Sequence, residues 1–453
     1  MCLISTSMKL FQFLICCSLL ISCSEKEDPI DQTPVVTAPV EQLSDGALLD
    51  LVQKQTFKYF WDFAHPVSGM ARERSQAAAY GGNSPEIVTT GGTGFGIMGM
   101  LAGVERKFIT RSQGVERLLK ITGFLLKGDR FHGAFPHWYN GTTGKVYPFS
   151  PQDNGGDLIE TSFMIQGLLA ARQYFDQQDP AEIELRANIK KLWEEVEWKW
   201  YTDKGRTLLW HWSPNFGFAI NLEIRGWNES LVAYVLAASS PTFPIAPELY
   251  HSIWAKGGDF KNGKTYYSNL KLELGPDYGG PLFFTHYSFL GIDPRSLKDQ
   301  YADYWEQNKN HALINRAYCI ANPKGFPGYS AKSWGLTASD NHQGYSAHSP
   351  TNDLGVISPT AAISSIPYTP AESMAAIRHF YYEQDGKLWG EYGFFDAFNP
   401  TRNWVSDGFL AIDQGPILVM IENHRSGLLW ELFMKNTEVK AGMRKLGFES
   451  PNL

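Results

Sequence analysis

Asp153-Asn154-Gly155-Gly156-Asp157-Leu158-Ile159-Glu160 leads without a break into an apolar run that ends at Tyr174. Asp157 reads as the N-cap of a helix over residues 158–174, and Glu160, three residues on, completes a capping box. Asp153 lies in the glycine loop just ahead, so three acids can gather at one helix mouth. Clustered carboxylates push each other's pKa values apart and often do acid/base work. The plainer reading of the stretch by itself is a capped helix under a solvated acidic loop.

The same unit, a helix entered from a loop rich in glycine and aromatic residues, recurs along the chain. Asp45 is placed to cap a helix that turns Leu48, Leu49, Val52, Phe57 and Phe60 inward, with Trp61 beside them. Further helices are expected over 95–104, 115–126, 181–200, 229–239, 247–256, 297–321, 370–383, 411–423 and 428–436. No long strand pattern interrupts them and no linker splits the body. About a dozen helices alternating with long loops predict an all-α fold, a closed ring of helical hairpins or α/α toroid. Small pairs inside the helices (Gly94/Gly96, Gly99/Gly103, Gly167/Ala170) cost helix propensity, and close helix approach is the natural compensation.

A net charge of −7 argues against nucleic acid as a partner. The 14 Trp, 21 Tyr and 28 Phe make up 14% of the chain; a large core full of Phe explains many of them but fewer of the Trp, and flat rings suit the apolar faces of sugars. Of five Cys, only Cys319 lies beyond residue 23, so the body holds no internal disulfide. Residues 8–21 pair Lys9 with an apolar run too short to span a bilayer and right for a signal peptide. Leu20-Ile21-Ser22-Cys23 has the form of a bacterial lipobox, and Ser24-Glu25-Lys26-Glu27-Asp28 that of the acidic export tag of Bacteroidetes-type surface lipoproteins. The chain therefore divides into a signal peptide (1–22), a lipidated Cys23 with a flexible tether (23–43) and one folded domain (44–453). Lipid anchoring in the cell envelope, at the outer-membrane surface or in the periplasm, is expected.

Several long segments, in order, resemble one family. They are Tyr59 to Pro66, Thr90-Gly91-Gly92-Thr93-Gly94-Phe95-Gly96, Asp153 to Glu160, Arg225-Gly226-Trp227-Asn228-Glu229, Gly279 to Phe283, Gly335-Leu336-Thr337-Ala338-Ser339-Asp340 and Ile412-Asp413-Gln414-Gly415-Pro416. Over residues 44–445 the chain resembles the bacterial β-1,2-glucanases of glycoside hydrolase family 144, within the glucoamylase-like group. The resemblance implies an (α/α)6 barrel and hydrolysis of β-1,2-glucan with inversion, to sophorose or short glucooligosaccharides. It implies no metal or organic cofactor. Carried over residue by residue, it makes Glu229 the general acid and Asp153, Asp157 and Glu160 an acidic cluster that matters for activity. It adds a late aspartate, placed at Asp413 ahead of Asp407 and Asp396.

Inverting hydrolysis needs a protonated carboxyl and an ionised one about 6.5–9.5 Å apart. Glu229 must then stay protonated near neutral pH, with Trp227 as a candidate apolar wall; a first-turn glutamate favoured by the helix dipole would shift the other way. Arg72, His137, Trp138, Arg225, His286, Tyr287 and Trp334 are expected to touch substrate beside Trp227. His137, His211 and His286 invite a zinc reading but lack ligand spacing. A monomer is expected. The competing readings are an exo-acting or other β-glucan hydrolase of the same fold, and a surface glycan-binding lipoprotein without catalysis.

Overall fold

A helix that is apolar or small at nearly every position must be surrounded on all sides, whereas one with a polar stripe suits the outside of a ring. Both kinds alternate here. A computed structural model describes residues 42–75 and 85–453 of the chain. Among the described residues are α1 (Asp45–Trp61), α2 (Thr90–Glu105), α3 (Arg111–Lys127), α4 (Leu158–Tyr174), α5 (Pro180–Glu194), α6 (Leu231–Ser239), α7 (Tyr304–Ala321), α8 (Pro359–Ser364), α9 (Pro370–Tyr382), α10 (Ala411–Arg425), α11 (Leu428–Met434) and α12 (Thr437–Lys445).

In Ser44–Leu453, one compact unit, α2, α4, α6, α8 and α10 form the inner ring. The short 3-10 turns Leu282–Thr285 and Ser288–Leu290 fill its remaining place, between α6 and α8. Every residue of α6 and α8 is buried, as is every residue of α4 from Leu158 to Ala171. The outer helices are amphipathic: α3 buries Val115, Leu118, Ile121, Thr122 and Leu125 and leaves its other face to solvent. α1, α3, α5, α7 and α9 lie outside, with the turn Tyr250–Trp254 in the sixth outer position. The result is an (α/α)6 barrel, and α11 and α12 pack against α4 and α6. The glycine stripe does what its cost requires. A Cβ on Gly94 would lie 2.2 Å from the Phe163 carbonyl oxygen, and one on Gly167 would lie 2.2 Å from that of Gly94, so α2 and α4 touch backbone to backbone.

α4 spans the residues expected of it. Its cap is Asp157, whose Oδ1 accepts from the amides of Ile159 (2.8 Å) and Glu160 (2.9 Å). The reciprocal half of the predicted box is missing, because the Glu160 carboxylate reaches across to Gly91 instead. α1 is capped by Ser44 rather than Asp45. Three expected helices are shorter. Residues 297–303 form a turn, since Asp303 caps Trp305 and Glu306 and starts α7 there. Residues 195–200 leave α5 in tight turns, and 247–256 keeps only one wide turn, Tyr250–Trp254. Short strands pair in the loops, among them Ile87–Thr89 with Trp138–Asn140 and Gly156–Asp157 with His211–Trp212. No helix among the described residues is long and apolar enough to cross a membrane. The signal-peptide, Cys23 and tether readings fall outside the described residues, apart from positions 42 and 43.

Candidate active site

The inner helices begin at one end of the barrel, and the chain puts its acids there. Glu160 is in the first turn of α4, Asp413 in the first turn of α10, and Glu229 sits two residues ahead of α6. Glu160 and Glu229 face a cavity of about 660 Å³. Aromatic rings form much of its wall, including Trp138, Phe149, Phe163, Trp210, Phe283 and Tyr287.

On one side stands His137, held by the strand pairing of Thr89 with Trp138. Its Nδ1 is 3.1 Å from Asp157 Oδ2 and 3.9 Å from Asp153 Oδ2, and its Nε2 is 3.9 Å from Glu160 Oε1. One imidazole thus gathers the three acids of the opening stretch. Burial pulls the His137 pKa down, but Glu160, Asp157 and Asp153 together outweigh it and carry it up to about 9. His137 is therefore an imidazolium at neutral pH. Phe149 stacks on it at 4.2 Å. Trp210 Nε1 donates to Asp157 Oδ2 (3.1 Å). Glu160 accepts from the Gly91 amide (2.6 Å) at the mouth of α2. Burial nevertheless lifts Glu160 to about 7, against the pull of His137.

On the other side, Arg74 forks between two acids. Its Nε and Nη2 donate to Glu73 (2.8 and 3.2 Å), and its Nη1 donates to both oxygens of Asp340 (3.0 and 3.1 Å). The Asp340 amide donates to Asp396 Oδ2 (2.7 Å). Asp396 and Asp413 lie side by side, both almost wholly buried, with no other partner for Asp396 Oδ1 or Asp413 Oδ2 among the described residues. Two carboxyl groups can bond only if one keeps a proton. Asp396 keeps it, its pKa pushed far up by burial and by the Asp413 charge. Asp413 is raised by burial to about 7 while the proton of Asp396 holds it down.

Glu229 stands apart from both clusters. Its backbone carbonyl accepts from Ser288 Oγ, which also accepts from the Val232 amide (3.0 Å), so the 3-10 turn pins the start of α6. Its pKa is lifted to about 7, by burial first and then by the charges of Asp157 and Glu160, against a backbone hydrogen bond that lowers it. Desolvation wins over the helix terminus.

Of the expected contact residues, His137, Trp138 and Tyr287 line the cavity. Five others do not. Arg72 is spent on the carbonyls of Phe63 (2.7 Å) and Pro85 (2.9 Å); two residues on, Arg74 takes the place in the wall. Arg225 is exposed and pairs with Glu223 (2.7 Å). Trp227 is buried against Phe289 and Tyr304, so the apolar wall comes from other rings. His286 bonds Ser365 Oγ (3.1 Å), and Trp334 is fully buried in the second core cluster. Asp153, Asp157 and Asp413 stand behind the lining residues. Glu73, Arg74, Trp210 and Tyr345 line the cavity from outside the expected set. Two of the three histidines meet at Asp153, His137 at 3.9 Å and His211 Nε2 at 3.0 Å, whereas His286 lies apart on the Ser365 side. Among the described residues, one set could hold a metal: His137, Asp153 and Asp157 bring donor atoms within 4.8 Å of one another. Two of these already hydrogen-bond each other.

A family model described as "Putative glucoamylase" matches residues 221–437. An endo-β-1,2-glucanase from Chitinophaga pinensis, solved with sophorotriose and glucose, is 56% identical over 91% of this chain and 100% of its own, with a TM-score of 0.89. The chain belongs to this glucoamylase-like family. An exo β-1,2-glucooligosaccharide sophorohydrolase (non-reducing end) from Parabacteroides distasonis is 47% identical over 438 residues, which are 92% of this chain. The chain spans only 60% of that relative's length. An endo-β-1,2-glucanase from Talaromyces funiculosus, 13% identical, shares the family fold with a TM-score of 0.67 over 89% of this chain and 92% of its own.

Proposed function

We propose that this chain is a glycoside hydrolase of family 144 that cleaves β-1,2-glucan with inversion, giving sophorose or short β-1,2-glucooligosaccharides. The observation that carries the reading is Glu229: a carboxyl in the wall of an aromatic-lined cavity, lifted by burial to about 7. A general acid needs a pKa near the working pH. The relatives' named substrates point to the same chemistry.

In the proposed reaction Glu229 protonates the bridging oxygen as the glycosidic bond breaks. A water attacks the anomeric carbon from the opposite face. Its proton passes to Asp413, the general base, which follows the cavity-lining Ile412 in the chain. Tyr345 and Tyr287 line the cavity and sense the Asp413 charge more than any other. We assign the relay to these hydroxyls or a water between them. The His137 cation holds Asp153, Asp157 and Glu160 together and offsets their charge beside the bound sugar. Replacing Glu229 by Gln, which keeps the shape and removes the proton, tests this. Release of reducing ends from linear β-1,2-glucan should fall by about 10³-fold, and undiminished release would end the assignment.

The second reading is exo action, favoured by the likeness to the Parabacteroides sophorohydrolase. A single disaccharide from the first minutes identifies it, whereas mixed oligosaccharides identify endo action. We also propose that Cys23 is lipidated and anchors a monomeric enzyme in the cell envelope. Loss of membrane-fraction protein in Cys23→Ala checks the anchor.

A further inference from the structure

Outside the cavity, three aromatic rings form a platform that the proposed chemistry does not use; Trp212 backs onto the core, while Trp200 stands outside it. Trp200 stacks on His132 with ring centres 3.8 Å apart and planes 16° apart. It is nonetheless 45% exposed. A ring covered on one face at stacking distance and exposed to that degree presents its other face to solvent. Trp212 meets both rings edge-on, at 5.0 Å from His132 and 6.3 Å from Trp200.

The arrangement is built rather than incidental. His132 has φ +51°, a left-handed conformation costly for a side chain with a Cβ. Two bonds hold it there. The Glu197 amide donates to its carbonyl (3.0 Å), and its Nδ1 lies 3.2 Å from Glu197 Oε2. Gly133 follows at φ +77°, and a Cβ there would sit 1.8 Å from the Glu195 carbonyl oxygen. The loop is clamped so that the imidazole lies under the indole.

The platform also stands next to the site. Trp212 pairs with Gly156, one step from the Asp157–His211 pair, and Trp210, two residues earlier, lines the cavity. Asn215, in the turn beyond Trp212, and Asn154, in the glycine loop ahead of α4, hold amide groups near solvent, Asn154 Nδ2 donating to Asn215 Oδ1 (2.7 Å). A flat indole beside amides suits the apolar face and hydroxyl edge of a pyranose.

The geometry points to a second glycan-contact site at Trp200, His132 and Trp212, which holds a glucosyl stretch of the polymer outside the cavity. This rests on the glycan reading of the cavity for its choice of ligand. The test is electrophoresis of the Glu229→Gln protein through gels containing linear β-1,2-glucan, with Trp200→Ala, Trp200→Phe and His132→Ala added in turn. Removing half-exposed indole area should weaken polymer binding about tenfold in Trp200→Ala. Trp200→Phe, which keeps a ring, should retain most of it, and His132→Ala, which removes the support, should follow Trp200→Ala. With Glu229 intact, the kcat/KM ratio of polymer to the β-1,2-linked trisaccharide should fall in Trp200→Ala. Retardation equal to the parent in both Trp200→Ala and His132→Ala overturns the platform. A native protein that does not cleave β-1,2-glucan, together with a Glu229→Gln parent that does not bind it, sinks the hydrolase reading separately, and the same gels are then run with β-1,3- and β-1,4-glucans. Loss of retardation on whichever glucan holds the parent sustains the platform; a parent held by none overturns it as well.

Discussion

Replacing Glu229 by Gln should make the protein more heat-stable at alkaline pH while it removes the activity. The reason is the sign of the shift. A carboxyl whose pKa is higher in the fold than in the unfolded chain binds its proton more tightly when folded. Its contribution is fully present at low pH and is lost as the pH rises from the unfolded value to the folded one. For Glu229 that window runs from the ordinary 4.5 to about 7. At 1.36 kcal/mol per pH unit, the buried anion costs about 3 kcal/mol at pH 8. Gln imitates the protonated form and escapes that cost. Spread over the roughly 2 cal/mol/K per residue typical of unfolding, the gain raises Tm by about 3 °C in a domain of this size. Scanning calorimetry at one fixed scan rate, at pH 8 and at pH 4, reads it. The two proteins should differ at pH 8 and converge at pH 4. Equal melting at pH 8 would mean that the Glu229 carboxylate is well solvated, and such a group could not serve as the general acid.

Four further outcomes follow from the same geometry. The kcat/KM profile on β-1,2-glucan should be a narrow bell centred near pH 7, because Glu229 must be protonated and Asp413 ionised and both titrate at about 7; a plateau from pH 5 to 9 would contradict it. Asp413→Asn should cost about 10²-fold or more in kcat. Asp396→Asn should cost little, since its amide can still donate to Asp413, whereas Asp396→Leu should move the acid limb of the bell to higher pH. Gly94→Ala drives a methyl into the Phe163 carbonyl and should destabilise the fold by about 3 kcal/mol, at the upper end for overpacking, as thermal melting would show.

How far the chain could be read in advance depended on local signals. α4 was legible to the residue because its cap, its apolar run and its end all lie within its own sequence. α8, six buried residues without a polar face, has no such signal, and Pro359 announces only where it begins. The acid cluster could be expected because Asp153, Asp157 and Glu160 are neighbours in the chain. The Arg74–Asp340–Asp396–Asp413 series could not, since its members lie on four separate segments. Arg72 and Arg74 share one loop, and only the bridges of Arg72 to Val88 and Arg74 to Leu410 decide which one reaches the cavity. Aromatic content told of sugars but not where they bind. Trp227 and Trp334 fill the core while Trp210 lines the cavity, and composition cannot separate those fates. The alternation of Glu73 with Arg72 and Arg74 was the one local hint that an acid there would need a partner.

The most direct measurement is proton NMR of linear β-1,2-glucan during the first minutes of hydrolysis. Inverting cleavage with Glu229 as the acid predicts reducing ends that appear as the α-anomer and mutarotate afterwards, with the signal absent in Glu229→Gln. New ends that appear first as the β-anomer, or at undiminished rate without the Glu229 carboxyl, would contradict it.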